Sequence, residues 1–166
     1  QKRDTVMSVL ESRVYKIKPV YRADFRDLIE RHAQFGGGSK DDKFVEGRSF
    51  SSVYEFYIYA FFLGLQTSSM VPIISTDDAS SFMEIEHWKP RSLVDYLLPC
   101  AIARTDIDMF ELQNLNEADV VSKVKNIKYT IESYANGGFK YIQDLLIDDP
   151  DLIDDDMFFV SLLSKK

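Results

Sequence analysis

The sequence predicts a mainly α protein: one compact multi-helix domain across residues 1–166, with a short two-stranded ribbon as the one β element it could hold. Three observations carry this. Apolar residues recur at spacings of three and four over most of the chain, which is the period of a helix with one buried face. Helix-starting and helix-stopping residues flank those runs. Hydrophobic residues make up 45% and aromatics 13% of 166 residues, enough apolar surface for a chain of this length to bury a core against the entropy of ordering it.

In chain order, Val6, Val9, Leu10 and Val14 line one side of a helix over about 3–13, with Pro19 beyond it. Phe25, Leu28, Ile29 and His32 do the same over about 22–35. There Gly36-Gly37-Gly38 supplies the left-handed residue that commonly ends a helix. The strongest start signal is Ser51-Ser52 followed by Glu55, a capping-box arrangement in which a hydroxyl meets free amides and the carboxylate reaches back. The helix it opens runs to about Leu65 and carries apolar or aromatic residues on nearly every face, so it should be surrounded by other elements. Gly64 near its end suits either a turn or a closely packed neighbour.

Met70–Ile74 and Phe82–Ile85 are short apolar pieces bounded by turn residues and could pair as the ribbon. A helix follows from Pro90 to about Arg104, with Pro99 expected to kink it. A short helix over Asp106–Leu112 precedes a longer one over Glu117–Ala135, where Val120, Val121, Val124, Ile127, Ile131 and Tyr134 share a side. Asn136-Gly137 should end that helix in a left-handed cap, with Gly138 letting the next helix approach, so that Tyr134 to Gly138 forms a corner. Phe139–Leu146 and Asp155–Leu163 complete the helices.

Charge divides the chain. Residues 1–48, a basic helical region with its Gly-rich loop, hold 11 Lys/Arg against 8 Asp/Glu; residues 49–166, an acidic helical body, hold 9 against 19. An acidic body repels a phosphate backbone, so DNA contact would be local and indirect. The basic residues available for nucleic-acid or partner contact are Arg22, Arg26, Arg31, Lys40, Lys43 and Arg48, with Lys123, Lys125 and Lys128. No Lys or Arg lies between Ser49 and Trp88, so the aromatic helix lacks the interleaved cations of a base-stacking surface.

Catalytic parts are few. With two His and one Cys, few triads or thiol catalysts can be assembled, and neither His has the paired spacing of a zinc ligand. His87 neighbours Glu84 and Glu86, but ordinary surface or packing roles explain both histidines better than acid–base work. Gly36-Gly37-Gly38-Ser39-Lys40 has the wrong order for a phosphate loop, which requires Gly-Lys-Ser/Thr after four residues. Asp144, Asp148, Asp149, Asp151, Asp154, Asp155 and Asp156 lack the central Gly and closing Glu of a calcium loop; helix capping and solvation account for them. No metal and no cofactor are therefore expected.

Cys100 sits in an apolar run as a small hydrophobe, fitting a reducing compartment. The first 20 residues show no secretory pattern, and the most apolar stretch, Val53–Leu65, is 13 residues where a bilayer span needs about 20. A cytoplasmic protein with no membrane association is expected.

Two segments carry a family resemblance: Phe50-Ser51-Ser52-Val53-Tyr54-Glu55-Phe56-Tyr57-Ile58-Tyr59-Ala60-Phe61-Phe62-Leu63-Gly64, and Ile131-Glu132-Ser133-Tyr134-Ala135-Asn136-Gly137-Gly138-Phe139. In this order they resemble the Dnd system-associated protein 4 family, which accompanies DNA phosphorothioation clusters in bacteria. The likeness covers roughly residues 50–146. The chain departs from it in having Ser68, Ser69, Met70 and Val71 before Pro72, where the family has a basic residue, and residues 1–48 have no counterpart. The resemblance implies a setting of bacterial DNA modification and phage defence and carries over no catalytic residue. Together these readings give a non-enzymatic accessory or adaptor protein working through protein–protein contacts. The alternatives are DNA binding through the basic N-terminal region, or a metal-dependent enzyme built on the C-terminal Asp cluster.

Overall fold

The computed structural model describes residues 2–33, 49–81, 83–105 and 116–164, with side chains from residue 9 onward. Its described residues are mainly α, with six α-helices and one two-stranded antiparallel ribbon. The helices are α1 (Lys2–Tyr15), α2 (Arg26–His32), α3 (Val53–Thr67), α4 (Arg91–Ala103), α5 (Glu117–Asp148) and α6 (Phe158–Ser164). The strands are β1 (Val20–Arg22) and β2 (Ala79–Ser81), and three short 3-10 turns cover Ala23–Phe25, Ile85–His87 and Pro150–Asp154.

The ribbon forms from other residues than the sequence suggests. β1 takes the start of the expected 22–35 helix, leaving Arg22 on a strand, and pairs with β2. Met70–Ile74 adopts no regular structure. Its backbone groups are satisfied elsewhere: the Val71 amide donates to the Ser133 carbonyl at 2.9 Å, and the Ile74 amide donates to Asp77 Oδ2 at 2.8 Å. Ile85 begins a 3-10 turn instead of closing a strand. Because Ala33 turns extended to bridge Phe50, α2 stops at His32, and the Gly36–Gly38 terminator lies outside the described residues. The expected Asp106–Leu112 helix lies outside them too.

At α3 one half of the expected capping box forms. Ser52 Oγ accepts from the Glu55 amide at 3.2 Å, while the Ser51 hydroxyl, not the cap's own amide, donates to the Glu55 carboxylate. The helix extends two residues past Leu65. Ser68, at φ 53°, makes the left-handed turn, one of the two roles expected of Gly64, and its amide bonds back to α3 carbonyls. At the other end of the chain, the Asp155 carboxylate accepts from the Met157 amide at 2.9 Å in the turn ahead of α6, a bond within the turn and not a cap on the helix.

The largest correction concerns α5. No corner forms at Tyr134–Gly138: the expected helices over 117–135 and 139–146 are one continuous helix of 32 residues. Glycine inside a helix costs about 1 kcal/mol relative to alanine, so something must compensate for two in succession. The compensation is close approach. A Cβ on Gly138 would lie 2.7 Å from the Ala60 carbonyl carbon, one on Gly64 would lie 2.8 Å from the Tyr134 carbonyl carbon, and one on Gly137 would lie 2.8 Å from the Met70 amide nitrogen. In each case the obstacle is backbone. The glycines let α3 and α5 cross with main chain against main chain.

The chain gathers into two compact units: Gln1–Val20 with Ser81–Ile131, and Tyr21–Ser80 with Glu132–Lys166. Helix α5 contributes to both. The first unit buries Leu10, Val14 and Ile17 of the N-terminal segment, Trp88, Val94 and Leu97 around α4, and Ile127 of α5. Inside the second unit, Phe56 of α3 meets Phe50, Phe139 and Phe159 at ring-centroid distances of 4.4, 5.1 and 5.7 Å. Aromatic pairs at such separations add to plain area burial, and they lock α3, α5 and α6 around one another.

Candidate functional site

The first unit carries a groove of about 500 Å³ between α1 and α4. Its formation follows from helical register: Leu10 and Val14 stand one turn apart on α1, while Leu98 and Ile102 do so on α4. Pro99 lies inside α4 and reaches the same groove, adding an apolar ring.

Three polar side chains close one end. Tyr15 donates its hydroxyl to Asp95 Oδ1 at 3.0 Å, Arg91 Nε donates to the same oxygen at 3.2 Å, and the Arg91 guanidinium lies 4.1 Å from the centre of the Tyr15 ring. Burial, then the bond to the Asp95 carboxylate, raises the Tyr15 pKa. The hydroxyl stays protonated as a donor. Each member of the trio satisfies another, so the groove offers a fixed polar stop and an apolar floor. Glu11 stands at the lip, exposed, with no hydrogen bond or ion pair to a described residue.

A second recess, of about 340 Å³, shares Tyr15 and Arg91 with the groove and is completed by Ser12, Lys16, Glu86 and His87. Here Lys16 Nζ meets Glu86 Oε1 at 2.8 Å, and that hydrogen bond raises the Lys16 pKa. His87 Nε2 lies 3.5 Å from the same Glu86 oxygen and 3.9 Å from Glu84. The His–Glu proximity suggested by the sequence therefore exists, but the His87 side chain is exposed, and water screens its charge.

The basic residues singled out from the sequence are placed as follows. Arg22 pairs with Asp24 at 2.6 Å and Arg26 with Glu30 at 2.9 Å, so both are offset by neighbouring acids. Arg31 is exposed on α2. Lys123, Lys125 and Lys128 lie on the part of α5 that belongs to the first unit. Lys40, Lys43 and Arg48 lie outside the described residues. Cys100 is half-buried, less enclosed than its apolar run suggests, because it falls beside the exposed edge of α4 at Pro99.

Among the described residues, no three His, Cys, Asp or Glu side chains converge as metal ligands. Asp144 pairs with Lys140 at 2.8 Å, Asp155 accepts from the Met157 amide in the turn before α6, and the other members of the Asp run are exposed along the end of α5 and the turn after it.

The Tyr134–Gly138 element packs within the second unit. Asn136 is 0% exposed; its Oδ1 accepts from the Arg22 amide of β1 at 2.9 Å and its Nδ2 donates to the Glu132 carbonyl at 2.8 Å. Ser51, Ser52 and Glu55 form the cap, Gly64, Gly137 and Gly138 the crossing, and the Tyr134 ring stands edge-on to Phe61 at 6.2 Å.

Sequence reasoning missed the Tyr15–Arg91–Asp95 trio. Only Arg91–Asp95, at i,i+4, leaves a local trace; Tyr15 is 80 residues from Asp95. It missed Glu132 as well, a carboxylate only 7% exposed, whose charge adds to burial in raising the Tyr57 pKa well above its ordinary value. No helix among the described residues is long and apolar enough to cross a membrane. Comparison of the chain with protein-family models, with curated proteins and with solved structures finds no match to any of them.

Proposed function

We propose that this chain is a non-enzymatic accessory protein of a bacterial DNA-modification and defence system, and that it works by holding an amphipathic helix of a protein partner in the α1–α4 groove. The observation that carries the reading is the self-satisfied trio at the end of an apolar groove. A catalytic pocket keeps a nucleophile or base poised toward substrate. Here the Tyr15 hydroxyl and Arg91 Nε are both held by Asp95 Oδ1, and Leu10, Val14, Leu98 and Ile102 are left to receive apolar side chains. Helix-in-groove recognition uses this composition: an apolar floor for residues at i, i+3, i+4 and i+7, and polar groups at the rim that fix register. Glu11 at the lip would favour a partner with a Lys or Arg beside its apolar ridge. The setting comes from the resemblance of Phe50–Gly64 and Ile131–Phe139 to the Dnd-associated family.

Affinity capture from a bacterial lysate at low salt tests this, comparing the wild-type chain with Ile102→Arg, which sets a charge in the groove. A partner retained by the wild type and lost by the variant, with equal thermal stability of the two baits, is the expected result. Equal recovery by both, or nothing above background with either, would remove the proposal.

A further inference from the structure

The second unit carries an apolar helix face in an unusual electrostatic setting. Helix α6 turns Phe158, Phe159 and Leu162 inward, while Val160 on it and Met157 just before it are each 56% exposed. Ile147, in the last turn of α5, is 69% exposed. Between these apolar residues the chain runs through Asp148, Asp149, Asp151, Asp154, Asp155 and Asp156, all exposed, and no Lys or Arg occurs from Tyr141 to Ser164. None of these six forms an ion pair with a described cation. Asp148 and Asp149 also stand at the C-terminal, negative pole of a 32-residue helix with no basic residue in its last turn. Such placement is unfavourable for the chain by itself, and a cation from outside would relieve it.

We infer that the α6 face, with the acidic turn before it, is a docking surface for a basic amphipathic segment of a protein partner, its apolar ridge set on Met157 and Val160 and its Lys or Arg residues reaching the Asp run. The charge selects the occupant. Nucleic acid and anionic lipid are repelled, and a second copy placing the same face against this one would bring like charges together. A basic strand of protein with an apolar ridge matches both features at once. The inference uses residues of the second unit alone and stands whether or not the α1–α4 groove holds a helix. With both surfaces in use the chain would bridge two proteins.

The test uses the full chain and a fluorescein-labelled synthetic peptide with leucine at i, i+3, i+4 and i+7 and lysine elsewhere, read by fluorescence anisotropy. Binding should weaken as salt rises. It should weaken roughly tenfold or more in Met157→Ser/Val160→Ser and also in Asp148→Asn/Asp149→Asn/Asp154→Asn/Asp156→Asn, which leaves the Asp155–Met157 turn bond in place. All titrations are run in the Ile102→Arg background, so that the α1–α4 groove does not contribute to the reading. Circular dichroism and melting temperature verify that each variant is folded. Three results would overturn the proposal: undiminished binding by the Met157/Val160 variant, which would reduce the effect to bulk charge; equal binding of a glutamate–leucine peptide of the same pattern; or self-association in sedimentation that disappears with the same substitutions, which would assign the face to a second copy.

Discussion

Replacing Gly138 by alanine should destabilise the protein, although helix propensity by itself predicts the reverse. Gly138 lies within α5, where alanine is favoured over glycine by about 1 kcal/mol. Against this, the added methyl would sit 2.7 Å from the Ala60 carbonyl carbon and 2.9 Å from its Cα, and closer still to the carbonyl oxygen, where ordinary contact begins at 3.4 Å. Neither side can swing away, because both are helix backbone. Relief requires α3 and α5 to separate by on the order of 1 Å, and a gap of that size forfeits a quarter to a half of the dispersion energy of each contact along the seam. The seam includes Phe139, whose ring centre is 5.1 Å from Phe56 and 5.9 Å from Tyr57. With overpacking in cores costing about 1–3 kcal/mol when side chains can yield, and more where they cannot, the cost here is about 3–5 kcal/mol. Subtracting the propensity gain leaves a net loss of about 2–4 kcal/mol. Urea unfolding followed by far-ultraviolet circular dichroism measures it as a lower midpoint at unchanged slope. Asn126→Ala, at an exposed position of the same helix, is the control and should be neutral or slightly stabilising. A midpoint for Gly138→Ala equal to or above the wild type would refute the account of the crossing.

Other substitutions test the remaining parts of the second unit. Asn136→Ala leaves the Arg22 amide without its acceptor, which should cost about 1–3 kcal/mol and speed hydrogen exchange at that amide specifically. Ser52→Ala removes the α3 cap and should cost about 1 kcal/mol by the same urea measurement. His32 is 8% exposed among Phe56 and Phe159, with Nδ1 unbonded among the described residues; burial, then the Arg31 charge, lowers its pKa below 6.5. The unfolded chain therefore takes up a proton before the folded one does, so this residue's contribution is complete above pH 6.5 and declines as pH falls from there to the folded pKa. His32→Phe should flatten the dependence of melting temperature on pH in that window; an unchanged slope would show that His32 is not its source.

Much of the helix inventory was legible because helices announce themselves locally. The Ser52–Glu55 cap, the apolar run behind it and the three-four spacing of Val120, Ile127 and Ile131 each depend on residues within a turn or two of one another. The misreadings share one cause. Gly137 and Gly138 look like a stop signal because glycine is a poor helix former, and only the presence of Ala60 and Ser69 backbone against them turns that liability into a requirement. Arg22 follows the helical spacing of Arg26, yet its amide is claimed by Asn136, 114 residues away, and the chain there is a strand. Met70–Ile74 has the composition of a strand but donates to an α5 carbonyl.

By itself, then, the sequence determined the mainly α class, the capped start of α3, the scarcity of His and Cys and the split between a basic beginning and an acidic remainder. Those are properties of single residues and of neighbours one helical turn apart. The tertiary structure decided the unbroken course of α5, the partner of the ribbon strand, the trio of Tyr15, Arg91 and Asp95, and the apolar face of α6 beside its uncompensated aspartates. Each of these depends on which backbone or side chain arrives from tens of residues away, and periodicity, capping and composition carry no information about such pairings.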